Sequence, residues 1–76
     1  TPKKLSHHEQ REFDRLPERI EALETEVSQL NGFVSGPEFY KEGAEAIDRT
    51  LARLQEAQRG LHAAYERWME LEPRSR

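Results

Sequence analysis

"FDRLPERIEALETEVSQLNGFV", Phe13 to Val34, carries apolar side chains at Phe13, Leu16, Ile20, Leu23, Val27, Leu30 and Val34, an alternation of three and four residues without a miss. Apolar residues at this spacing line one face of a helix, and the strict repeat is that of an a/d coiled-coil seam. The same alternation runs through Ile47, Leu51, Leu54, Gln58, Leu61, Tyr65 and Trp68, with Gln58 its one polar member. Between the two stripes lies "NGFVSGPEFYKEG", Asn31 to Gly43, which holds three of the four glycines and a proline, so the chain turns there.

Folding the second stripe back on the first pairs every layer in order. Phe13 faces Trp68, Leu16 faces Tyr65, Ile20 faces Leu61, Leu23 faces Gln58, Val27 faces Leu54, Leu30 faces Leu51 and Val34 faces Ile47. Each layer joins an a to a d position, as an antiparallel pairing requires. Glu9 and Glu72 come next outward, and the seam is predicted to fray there. Ala57 and Ala64, at g positions, favour helix and permit close approach. Few opposite charges face each other across the seam edges, so the apolar layers and the turn are expected to fix the pairing rather than interhelical salt bridges.

The predicted fold is therefore all-α: an antiparallel two-helix coiled-coil hairpin with helices over about 6–33 and 44–72, a tip over 34–43 with a short helical turn, and a tail over 73–76. Pro17 has no N–H for the Phe13 carbonyl and disfavours a helical Leu16, so a kink or break is predicted near it. Phe13 and Leu16 keep the seam's phase across the proline, which predicts a kinked or re-wound helix still packed on its partner. A clean break, with Pro17 as the first residue of a new helix, would equally use proline's preference for that position.

Composition narrows the classes. Seventy-six residues make one small domain, and a chain 36% charged and 34% apolar suits an elongated, solvated helical object. The absence of Cys removes disulfides and fits a cytoplasmic protein. No apolar run approaches the roughly 20 residues that span a bilayer, so no membrane partner is expected. The chain starts at Thr1 without Met, as a piece of a longer protein would. A net charge of −3 argues against indiscriminate attraction to nucleic acid.

Ser6-His7-His8-Glu9 reads as a capping box opening the first helix, and Ser35-Gly36-Pro37-Glu38 as a second one at the tip, where Phe33, Phe39 and Tyr40 cluster. The adjacent histidines point to different faces and lack further ligands at zinc spacing, so no metal site is predicted. There is no phosphate-cradling glycine loop, nucleophile elbow or cysteine to activate, and two helices enclose no water-free pocket. The chain is not expected to be an enzyme by itself. Arg11, Arg15 and Arg19 recur every fourth residue behind Lys3 and Lys4, a basic stripe able to follow a phosphate backbone, although Glu12, Asp14 and Glu18 are interleaved.

The runs "KKLSHHEQREFDRLPERIEALETEV", "PEFYKEG" and "LHAAYERWMELE" resemble the C-terminal domain of the Uup-type ABC-F ATPases, from Lys3 to Glu72. The most specific pieces are "LS..EQRE", "LP.RI..LE", "FY" and "RW..LE". That resemblance implies a coiled-coil hairpin behind a basic linker ending at residues 1–5. It implies a domain that helps its parent bind DNA or ribosomal RNA, with ATP and Mg handled by ATPase domains elsewhere in the parent and no cofactor here. Lys3, Lys4, Arg11, Arg15 and Arg19 are the candidate nucleic-acid contacts, and Tyr65 and Trp68 the packing platform of the arm. The isolated piece is expected to be a monomeric hairpin. The competing reading is a structural or protein-docking module, and a third is pairing of seams between chains.

Overall fold

Ser6 begins the first helix as its sequence predicts. Extended at φ −66° and ψ 167°, it accepts a hydrogen bond from the Glu9 amide on Oγ at 3.1 Å. Its own amide donates to Glu9 Oε1 at 3.0 Å, so two amides without intrahelical partners are satisfied reciprocally. In the computed structural model, which describes residues 4–75, helix α1 runs from there over His7–Val34. A 3₁₀ turn spans Phe39–Lys41, helix α2 spans Ala44–Leu71, and a C-terminal 3₁₀ turn spans Glu72–Ser75. No strand occurs among the described residues. The result is an all-α hairpin measuring 54 × 17 × 16 Å.

The helices are antiparallel, because cross-pairs rise in number along α1 as they fall along α2: Glu12 with Arg67, Phe13 with Trp68, Leu23 with Gly60, Glu26 with Arg53. Helix α1 is continuous across Pro17, so the clean break is not realised. The proline sits on the exposed face, where water can take the place of the hydrogen bond that its missing N–H costs. Inward, Phe13 stacks on Trp68 with ring centroids 4.4 Å apart, and Leu16 is buried with Ala64 and Leu71. The arm before the proline therefore stays on α2.

The inward face of α1 is the predicted stripe, but that of α2 is not. Leu51, Gln58 and Tyr65 are exposed, whereas Ala57, Ala64 and Leu71 are buried and Thr50 is half-buried. The layers on α2 thus run Ile47, Thr50, Leu54, Ala57, Leu61, Ala64, Trp68, Leu71, again spaced three and four. Relative to the predicted seam α2 is turned by about half of the roughly 100° between successive residues. The turn spares Gln58 and the Tyr65 hydroxyl from desolvation and brings small side chains to the contact, which lets the backbones approach. Tyr65 consequently leaves the platform, and its hydroxyl donates to Glu24 at 2.5 Å.

The same turn corrects the expectation about salt bridges. It moves Arg53 and Arg67 from the outer surface to the seam edge, where Arg53 meets Glu26 at 2.6 Å and Arg67 meets Glu12 at 2.7 Å. It also corrects the predicted fraying. Beyond Trp68, Leu71 is wholly buried, Leu5 packs against the cluster, and Arg74 of the C-terminal turn grips Glu9 at 2.8 and 3.1 Å.

At the tip, Ser35 has helical angles, φ −83° and ψ −12°, and its amide donates to the Asn31 carbonyl. It closes α1 instead of capping a new helix, because an N-cap needs extended backbone. Phe39 plugs the end, edge-on to Phe33 and Tyr40.

Candidate nucleic-acid interface

Three helical turns of α1 carry the basic stripe. Arg11, Arg15 and Arg19 stand four residues apart, about 6 Å per step along the axis, so they rise along one wall of the molecule. All three are exposed, and none lies within salt-bridge distance of a carboxylate among the described residues. By contrast Arg53, Arg67 and Arg74 are each committed to glutamates.

The stripe forms one wall of an open groove of about 580 Å³, lined also by His8, Glu12, Leu16, Gly60, Ala63, Ala64 and Arg67. Glu12 is its one carboxylate. Arg67 holds it in a fork, Nε to Oε2 at 2.7 Å and Nη2 to Oε1 at 3.0 Å. These hydrogen bonds push the Glu12 carboxyl below its ordinary range. They also push the Arg67 guanidinium above its own, with Glu70 on Nη1 at 2.7 Å assisting. The groove therefore keeps the charge of Arg11, Arg15 and Arg19 uncancelled at its lining. Of the other interleaved acids, Asp14 accepts a hydrogen bond from Gln10 Nε2 at 2.9 Å. A second depression lined by Arg15, Glu18, Arg19, Ala22, Leu23 and Glu26 continues the groove toward the tip, and there Glu18 and Glu26 stand among the arginines.

Opposite the arginines, α2 contributes the small Gly60, Ala63 and Ala64 beside Arg67. Gly60 interrupts its helix-forming residues at a cost of about 1 kcal/mol relative to Ala. A Cβ there would meet Leu23 Cδ2 at 3.5 Å and Cδ1 at 3.7 Å, ordinary contact distances, so packing on α1 does not demand glycine.

Of the predicted contacts, the structure thus brings Arg11, Arg15 and Arg19 together. Lys4 is exposed ahead of the helix, and Lys3 lies outside the described residues. The residue pattern did not reveal Arg67 neutralising Glu12, nor the floor of Gly60 and Ala63. The signals for them were a charge beside each member of the Phe13–Trp68 pair and a glycine in mid-helix.

No group of three or more His, Cys, Asp or Glu that could hold a metal ion converges among the described residues. His62 instead pairs with Glu66 one helical turn on, at 2.8 Å. No helix among the described residues is long and apolar enough to cross a membrane.

A family model described as the ABC transporter C-terminal domain matches residues 4–73. The chain is 38% identical over 69 residues to a Haemophilus influenzae protein named "ATP-binding protein Uup-like", covering 91% of this chain and 15% of the relative. It is likewise 38% identical to "ATP-binding protein Uup" of the same organism and 36% identical to that of Escherichia coli, covering 91% of this chain and 11% of each relative. The chain thus spans well under a fifth of the length of these relatives. No solved structure matches it.

Proposed function

The chain belongs to the ABC transporter C-terminal domain family, and we propose that it serves an ABC-F ATPase as a non-catalytic accessory hairpin that helps the parent hold DNA or ribosomal RNA. Lys4, Arg11, Arg15 and Arg19, with Lys3 ahead of them, make the phosphate contacts. Hydrolysis of ATP with Mg belongs to ATPase domains of the parent, in the cytoplasm, and the hairpin itself works as a monomer. The observation that supports this reading is the groove: three arginines without carboxylate partners among the described residues on one wall, with the one carboxylate that lines it among those residues tied to Arg67.

Fluorescence anisotropy against salt tests it. Five cations contacting five phosphates give a slope of log K against log salt of about −4.5 on duplex DNA and about −3.5 on a single strand, of which the three arginines account for about −2.7 and −2.1. Arg11→Glu with Arg15→Glu should abolish retention while helicity by circular dichroism is unchanged. Indifference to that double reversal would favour the second reading, a protein-docking module, for which the 75% exposure of Tyr40 at the tip is the supporting observation.

A further inference from the structure

Resting on the nucleic-acid reading, we infer that the groove takes one unpaired phosphodiester strand, held through its phosphates alone, with Gly60 and Ala63 as the floor on which the strand lies. Two packed helices have axes about 8–10 Å apart, so the groove between them is about one strand wide. A duplex, two backbones wound about stacked base pairs, is broader than this cleft and reaches only the arginine tips on the rim.

The lining favours the narrow ligand. Gly60 disfavours its own helix, and the contact with Leu23 would accept a methyl group, so packing does not account for the missing side chain. An open floor does. Ala63 continues it one helical turn on, exposed and without a packing role of its own. The unpaired charge lies on the α1 wall, Arg67 across from it being tied to Glu12 and Glu70, as a ligand with one phosphate backbone needs. Among the described residues His8 is the one ring at the groove, and besides it only the Glu12 carboxylate, held in the Arg67 fork, can accept from a base edge, so the contact runs through the phosphates facing the three arginines. The strand is therefore bound with little regard to sequence.

Ala63→Leu isolates this inference, because leucine is nearly as good a helix former and the position is exposed. The probes are a labelled oligothymidine, an abasic strand of the same length and a duplex of that length, read by anisotropy at low salt. The oligothymidine should bind more tightly than the duplex by about fivefold or more. The abasic strand should match the oligothymidine. Ala63→Leu should weaken both strands about fivefold, leave the duplex alone and leave the melting curve unchanged. Duplex affinity equal to that of the strand, or strand affinity untouched by Ala63→Leu, overturns the inference. If the Arg11→Glu, Arg15→Glu chain has by then lost binding, the broader reading survives. Loss of the abasic strand overturns recognition by phosphates alone. Absence of binding to every probe, with the charge reversals silent, overturns the nucleic-acid reading itself.

Discussion

At the tip the chain itself joins the two helices, and side chains add one apolar plug and little more. Phe39 is buried against Phe33 and beside Tyr40, Gly43 starts α2 without a side-chain cap, and the Lys41–Glu38 pair is largely solvated. At the other end no covalent link holds the helices, and interactions converge there. Leu5, Phe13, Leu16, Ala64, Trp68 and Leu71 form one cluster, ringed by the capping box at Ser6, the Arg67–Glu12 fork and the Arg74–Glu9 fork. Connectivity replaces packing at one end, and packing replaces connectivity at the other.

Truncating the buried residue of each end should break this contrast most strongly. Leu71→Ala removes a wholly buried side chain and should cost about 2–5 kcal/mol, and Phe39→Ala about 3–5 kcal/mol. Their consequences should differ in reach. Loss of Leu71 should unzip the open end, abolishing the near-ultraviolet dichroism of the Phe13–Trp68 stack and amide protection along both helices near it. Loss of Phe39 should strip protection from the tip and the adjacent turns while the Trp68 signal persists. Equal loss of the Trp68 signal in both variants would show that the ends are one cooperative unit.

That asymmetry was only half legible in the residues. On α1 the positions off the stripe are polar or small apart from Pro17 and Phe33, so one face alone can turn inward, and the fold followed. On α2 two columns compete for the place beside Ile47, Leu54, Leu61 and Trp68. The one through Leu51, Gln58 and Tyr65 scores higher in apolar bulk than Thr50, Ala57, Ala64 and Leu71, yet it is the second that packs. Alanine reads as weak in a periodicity count but gains from close backbone approach, and Gln58 loses from burial; neither shows until the partner helix is in place. The ion pairs followed from that register and were hidden with it. The arginine stripe was legible because its spacing is local, whereas the neutralising of Glu12 depends on a residue on the other helix.

The capping box offers a smaller test of the open end. Ser6→Ala should cost about 0.5–2 kcal/mol, measured by chemical denaturation. It should also change acid sensitivity. The hydrogen bond from the Ser6 amide, then the Arg74 fork, hold the Glu9 carboxyl down at about 2 from its ordinary 4.5. A carboxylate with a lowered pKa stabilises the fold fully above its unfolded value and loses that contribution as pH falls toward the folded one. The hairpin should therefore weaken between about pH 4.5 and 2. Ser6→Ala, which loosens the loop that presents this amide, should let the Glu9 carboxyl rise toward its ordinary value and so shrink the stability lost between pH 7 and pH 3. Arg74→Met should do the same while leaving the cap intact, and a melt at pH 3 compared with pH 7 reads both.

Gly60→Ala is the gentlest perturbation and the one that sets stability against the groove. Alanine removes the helix penalty and meets Leu23 at contact distance, so the chain should gain about 0.4–1 kcal/mol, a rise in Tm of about 4–8 °C per kcal/mol. A loss of stability would mean that Leu23 cannot accommodate the methyl group and that glycine is there for packing. A gain in stability with weaker strand binding would mean that the open floor is kept at the expense of the helix. The first outcome returns Gly60 to the core of the open end, and the second assigns it to the surface that this end presents.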